Sequence, residues 1–178
     1  MSKMRLEIIS LPKWKEKVTV KTWIKTLENS RSTRCLELYR GEEKLAGCET
    51  SWAVINTNAR RPENLALSHE HFEKYPSQSG TSHEVQKINI NLDFDVLKNY
   101  KVQLSDIDIV NHANSVKYLE WCLNALDSKY ILSQKIKGFE MNFLRELSLN
   151  DEVTIAQKDQ SIIISKADKV CFALELNE

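Results

Sequence analysis

Glycine and proline are scarce, four and three among 178 residues. That shortage excludes collagen-like and low-complexity architectures. Neither charge is in surplus, because Lys plus Arg and Asp plus Glu both number 25. No global field therefore draws the chain toward nucleic acid or an anionic membrane. No apolar run approaches the roughly 20 residues that a membrane-spanning helix requires. The start, Met1-Ser2-Lys3-Met4-Arg5, lacks the oily core of a secretory signal. Cysteines stand only at 35, 48, 122 and 171, with no CxxC pair and no adjacent histidine. Without an export signal they read as reduced, mostly buried thiols rather than disulfides or zinc ligands, and the expected compartment is the cytoplasm. A chain of this length makes one domain or two small ones and can bury a real core.

What is present is β-forming sequence interrupted by one strong helical pattern. Residues 1 to 57 read as antiparallel strands with one wet face. Lys17 to Trp23 alternates, Cys35 to Tyr39 continues the period, and Gly41-Glu42-Glu43-Lys44 turns the chain into 45–55. Arg60-Arg61-Pro62 breaks the pattern. Leu65, Leu67 and Phe72 predict a short helix over 63–75, closed by Pro76, with 77–82 as a linker. Of His69, His71 and Glu73 only the first and last share a helical face, which fits a solvated face better than a metal site.

The second half opens at Glu84. Asn89 to Asp95 alternates and Tyr100 to Leu104 reads as a strand. From Asn114 to Leu126, Val116, Leu119, Leu123 and Leu126 recur at helical spacing, with Tyr118 and Cys122 widening the packing stripe. Four β-rich runs follow, at 136–147, 152–157, 161–167 and 169–176. The order predicts an α+β fold, a curled antiparallel sheet wrapped around a long central helix.

Chemistry concentrates in Asp106-Ile107-Asp108-Ile109-Val110-Asn111-His112-Ala113-Asn114, immediately before that helix. A helix start presents amides without intrahelical partners and favours negative charge. Beside it, Asp and His supply what acyl transfer needs: donors for an oxyanion and groups that orient a nucleophile. The same residues also suit a plain capping cluster, with Asn111 or Asn114 satisfying the first amides and Asp106 as a turn residue.

These residues resemble the acyl-acyl carrier protein thioesterases, a family of tandem hot-dog folds. Ser105 to Asp108, His112, Asn114 and Lys117-Tyr118-Leu119-Glu120-Trp121 look like the family's strand-to-helix motif. Arg145-Glu146 falls at the spacing where the family carries a catalytic glutamate. Pro12-Lys13-Trp14, Thr22-Trp23, Ser51-Trp52 and Arg60-Arg61-Pro62 match the end of its first hot dog. The resemblance implies a partial first hot dog of strands only at 1–62, a connecting helix and linker at 63–83, and a complete hot dog at 84–178. It also implies that the chain enters near the middle of the first hot dog, which in the family shapes the acyl pocket. One departure lies in the motif itself: the family places asparagine two residues after the second aspartate, where Val110 stands here. In an extended segment Asn111, one step along, would point the other way.

By resemblance, Glu146 is the general base, in an apolar strand running through 141–147, while Asp108 and His112 orient the water or the glutamate. Asn111, Asn114, Arg60 and Arg61 are the candidate substrate contacts. Leu147 follows the glutamate and Cys122 belongs to the packing stripe, so a cysteine nucleophile is not expected. Neither a cofactor nor a metal is expected. The implied partner is acyl carrier protein, which is acidic; Lys13, Lys15, Lys17, Lys21, Lys25, Arg31 and Arg34 make the first part locally basic. Self-association is expected, because hot-dog sheets expose edges. The expected reaction is release of a fatty acid from acyl carrier protein. The alternatives are a hot dog that binds acyl chains or a partner without turnover, and a thioesterase acting on coenzyme A esters.

Overall fold

Alternation in the first fifty residues is realised as four long strands. The computed structural model describes Met1 to Glu178 apart from Thr57, Arg60 and Leu67. Two compact units emerge, Met1–Gln86 and Lys87–Glu178. In the first, β1 (Lys3–Ile8), β2 (Thr19–Glu28), β3 (Arg31–Arg40) and β4 (Glu43–Ala53) pair in the order β2-β3-β4-β1. All three pairings are antiparallel, with Leu6, Cys48, Leu36 and Thr22 in one row across the sheet. Gly41, at φ +59°, makes the tight turn from β3 to β4. A two-residue ladder joins β5 (Ile55–Asn56) to β6 (Arg61–Pro62).

The helix expected over 63–75 is absent among the described residues, and Leu67 lies outside them. Short isolated helices are marginal, and this segment has better partners. Leu65 donates its amide to Asn29 O at 3.0 Å, and Tyr75 donates to Ile24 O at 2.9 Å. The expected linker at 77–82 is instead a strap laid on one face of the sheet. Gln78 O accepts the Trp23 indole N–H at 3.1 Å, Gly80 O accepts Lys44 Nζ at 2.8 Å, and the Ser82 amide donates to Glu7 at 2.8 Å. Gly47 makes the close approach possible: a Cβ there would sit 1.9 Å from Gly80 O.

The second unit contains β7 (Asp95–Lys101), α1 (Ser115–Leu123), α2 (Ser128–Leu132), β8 (Gly138–Phe143), β9 (Glu152–Lys158), β10 (Ser161–Lys166) and β11 (Lys169–Asn177). Its strands are antiparallel in the order β8-β11-β10-β9-β7. The expected strand at 89–95 does not form; β7 begins only at Asp95. Residues before it lie as irregular chain on the sheet. Ile88 and Ile90 pack on the row Ala156, Ile163 and Ala173, while the Ile88 amide donates to Asn142 Oδ1 at 3.0 Å.

Helix α1 covers the opposite face. Tyr118 packs on Phe143 and Phe172, whose strand neighbours Ile164 and Ile155 are fully buried. The helix is nine residues, not the long one expected through Leu126. Asn124 caps it, and Asp127 starts α2 by accepting the Lys129 amide at 2.8 Å, so polar caps split one apolar stretch in two. The buried stripe also differs: Tyr118, Trp121 and Cys122 face the sheet, whereas Val116 is exposed and Leu119 and Leu123 are half-buried. The unit is mostly β sheet with short helices.

Candidate active site

The nine-residue segment before α1 is a closed loop rather than an extended strand. A single 3-10 turn, Leu104–Asp106, opens it. Asp106 is buried and accepts from the Tyr100 hydroxyl and the Gln103 amide, both at 2.8 Å; its carbonyl accepts the Asn114 amide at 2.8 Å. Burial and the neighbouring Asp106 carboxylate push the Tyr100 phenol up to about 12. Ile107 and Ala113 bridge across the base, and the Asn111 amide closes a turn onto Asp108 O at 3.1 Å. Asn111 sits at φ 63°, a left-handed conformation that asparagine tolerates well. Strand alternation therefore does not set the direction of Asn111, because the chain turns at that position.

Asp108 holds this turn. Its Oδ1 accepts the Val110 amide at 2.9 Å and the His112 amide at 3.4 Å, and its own amide donates to His112 O at 2.9 Å. It reaches His112 through the main chain. Val110 is at the tip, 62% exposed. Asn114 is the N-cap of α1, its Oδ1 accepting the Val116 amide at 3.0 Å. That assigns the side-chain oxygen of this predicted substrate contact to the helix.

Glu146 comes from a different element. It lies beyond the end of β8, not on a strand as expected, because the ladder breaks where both Leu144 and Arg145 donate their amides to Cys171 O, at 2.8 and 3.0 Å. Arg145 turns its guanidinium to the Val170 carbonyl. Leu147 is fully buried and clamps the segment: its amide donates to the Tyr118 hydroxyl at 3.0 Å and its carbonyl accepts the Ala113 amide at 2.8 Å. Those bonds hold Glu146 opposite the loop, so that Glu146 Oε2 stands 3.5 Å from His112 Nε2. Both side chains remain open to solvent, 36% for His112 and 46% for Glu146.

Two supporting residues escaped the sequence reading. Tyr118 counted only as packing, yet its hydroxyl bridges α1 to the residue after Glu146; burial pushes that phenol up to about 12. Asp106 counted as a turn residue, yet it ties Tyr100, the 3-10 turn and Asn114 together. A tyrosine inside a helical stripe gives no sign of where its hydroxyl will go. Cys122 is buried on α1 and its thiol is raised by desolvation, as suits a packing residue. All four cysteines are free thiols. Arg61 is exposed on β6 in the first unit, and Arg60 lies outside the described residues.

Solved structures share this architecture. An acyl-ACP thioesterase from Bacteroides thetaiotaomicron superposes with a TM-score of 0.86 at 21% identity, over 98% of this chain and 74% of the other. A 12:0-ACP thioesterase from Umbellularia californica gives 0.80 at 16% identity, over 99% and 73%. The fold is thus that of the hot-dog thioesterases. Family profiles assign it more closely: residues 1–75 match the acyl-ACP thioesterase N-terminal domain and 90–176 the C-terminal domain. The chain belongs to the acyl-ACP thioesterase family. Its curated relatives are distant. An acyl-[acyl-carrier-protein] hydrolase of Cuphea viscosissima is 22% identical over 154 residues, and an oleoyl-acyl carrier protein thioesterase of Arabidopsis thaliana is 22% identical over 166. The matches span 82% and 85% of this chain but only 37% and 45% of those proteins.

Proposed function

We propose that the protein hydrolyses the thioester of a fatty acyl group carried on acyl carrier protein, with Glu146 as general base. The observation that carries this reading is the His112–Glu146 pair, 3.5 Å apart beside the start of α1. Glu146 takes a proton from water as the water attacks the thioester carbon. His112, when protonated, and the positive end of the α1 dipole stabilise the oxyanion. Collapse breaks the carbon–sulfur bond, and the proton held by Glu146 passes to the departing thiolate. Asp108 acts by fixing the backbone that carries His112.

The exposed lysines of the first unit support an acidic carrier. Lys13, Lys15 and Lys17 surround Trp14, which is 91% exposed on a turn that Glu16 closes onto the Lys13 amide at 2.9 Å. Lys25 leaves that set, because it is buried against Glu49 at 3.1 Å.

The test is hydrolysis of acyl-carrier and acyl-CoA substrates by the wild type, Glu146→Gln and His112→Ala. Glu146→Gln is expected to lower kcat by roughly 10²–10⁴-fold with a smaller change in KM. Turnover that survives the glutamine refutes the base assignment. A second reading, acyl binding without hydrolysis, is favoured by Val110, an apolar side chain where the family carries an amide. Absence of turnover in the wild type on both substrate classes selects it.

A further inference from the structure

Among the described residues of the first unit, the most exposed large apolar side chains lie together between β1 and β2: Ile9 at 63%, Leu11 at 68% and Trp14 at 91%. Lys13 and Lys15 flank the indole and Lys17 follows, all three exposed. The turn that carries them is fixed. The Glu16 amide donates to Lys13 O at 3.0 Å, and the Glu16 carboxylate accepts the Lys13 amide at 2.9 Å. At the stem, Ile9 and Ser10 both donate their amides to Leu45 O, at 2.8 and 3.0 Å. Lys15 stands at φ 65°, a left-handed conformation in which glycine is the unstrained residue. A lysine there accepts backbone strain and adds a second positive charge beside Trp14.

Charge and composition identify what meets this turn. Glu16 is its one acidic residue, and Arg40 pairs with that carboxylate at 3.1 Å. The chain as a whole is neutral, so the attraction is local to the three lysines. Lysines around an indole fit the headgroup layer of an anionic bilayer, where cations meet lipid phosphate and tryptophan settles at the edge of the acyl region. An acidic carrier would also attract the lysines. A stable protein interface, however, takes roughly 20–30 residues a side, and this turn spans only 9–17. Lipid needs no matching surface and accepts all three apolar side chains. We propose that the turn at 9–17 seats the first unit on an anionic lipid surface, with Ile9, Leu11 and Trp14 entering the headgroup layer. The proposal goes beyond the thioesterase reading and does not depend on it; under that reading, the fatty acid is released where it dissolves.

The experiment is co-sedimentation of the full chain with vesicles of phosphatidylcholine alone and of equal parts phosphatidylcholine and phosphatidylglycerol. At about fivefold per lysine, binding to the mixed vesicles is expected to be roughly a hundredfold tighter, a margin that shrinks as salt rises. Trp14→Ala is expected to weaken that binding about tenfold. Lys15→Gly separates fold from binding: it relieves the left-handed strain, so stability in urea should hold or rise, while affinity for mixed vesicles falls about fivefold. The emission difference between wild type and Trp14→Phe isolates Trp14 and should shift to the blue on mixed vesicles. Equal affinity for the two vesicle types, binding unmoved by Trp14→Ala, or an unshifted Trp14 emission overturns the proposal. So does capture of purified acyl carrier protein that Trp14→Ala abolishes, with no vesicle binding; that result assigns the turn to the carrier. Binding is read without turnover, so vesicle binding by Glu146→Gln equal to wild type supports the proposal even if no thioester is hydrolysed.

Discussion

The first unit covers one face of its sheet with irregular chain; the second covers one face with a helix, and the difference decides what each buries. A helix satisfies its own backbone, so α1 brings only side chains to the sheet. The strands beneath it are accordingly Ile155, Ile162, Ile164, Phe172 and Leu174, all at 1% exposure or less. The strap at 77–82 brings bare carbonyls and amides, which need partners once buried. Trp23, Lys44 and Glu7 supply them. The same contrast recurs inside the second unit. Where residues before β7 cross its other face as irregular chain, buried Asn142 stands in the sheet and accepts the Ile88 amide. Polar burial follows the covering backbone.

The sharpest way to break that contrast is at Lys25. Its ammonium lies between Glu49 at 3.1 Å and Glu84 at 3.3 Å, and the Cys35 thiol is 3.7 Å from the Glu49 carboxylate. Burial alone would lower Lys25, but hydrogen bonds and charge from the two glutamates outweigh it and leave the group above its ordinary value. Lys25→Met strands a buried carboxylate that keeps, among the described residues, a thiol partner alone, and is expected to cost about 3–5 kcal/mol in urea unfolding. Lys25→Met with Glu49→Leu should recover most of that loss. A single change costing under about 1 kcal/mol would show that the pair is not needed.

Next in size is Gly47→Ala. The obstructing atom, 1.9 Å from the new Cβ, is backbone carbonyl and cannot swing aside. The strap must lift, at about 3 kcal/mol, the upper end of overpacking costs. Hydrogen exchange should quicken at 75–82 and stay unchanged on α1.

The two units also differ in how far the sequence revealed them. The meander of the second unit was legible, because β8 to β11 are runs of β-branched and aromatic residues between polar turns. The four long strands and the turn at Gly41 were legible for similar reasons. Lost were the choices settled by tertiary partners. Val116, Leu119 and Leu123 repeat at helical spacing, yet Tyr118, Trp121 and Cys122 do so too, and only the aromatic shelf of Phe143 and Phe172 decides between them. Asn89 to Asp95 alternates like a strand but finds a side-chain amide, Asn142, instead of a ladder. That Glu146 faces His112 is an expectation only the family resemblance supplied, since by pattern alone Glu146 reads as an outward strand residue, whereas the clamp that holds it, Leu147 between Tyr118 and Ala113, is a contact no local pattern encodes.

That clamp gives the corresponding test in the second unit. Tyr118→Phe keeps the ring stack on Phe172 but leaves the Leu147 amide buried without its acceptor. The expected loss is about 1–2 kcal/mol. Activity adds a reading that stability cannot: Glu146, the proposed base, would drift from His112, so kcat should fall about tenfold with KM nearly constant. Equal changes in both constants would mean that Tyr118 supports the fold without positioning Glu146.

Acid should distinguish the units by a smaller margin. Burial alone would raise Glu7 and Glu37. Hydrogen bonds from Ser82, with Arg5, nevertheless hold Glu7 below its ordinary value, and Lys44 and Tyr39 do the same for Glu37. A carboxylate lowered on folding contributes stability that is complete above its unfolded value near 4.5 and drains as pH falls through the folded one. Glu7 bonds the strap directly, and Glu37 holds Lys44, which bonds Gly80 O, so protonation below pH 4.5 releases the strap from two sides. In the second unit Asp151 is also lowered, against its own burial, by Lys166 and the Ser148 amide, but it closes a surface turn. Exchange at 78–82 should therefore accelerate as the pH falls below 4.5, before any change on β10 or β11. Simultaneous loss in both units would place the first acid-labile contact outside the strap.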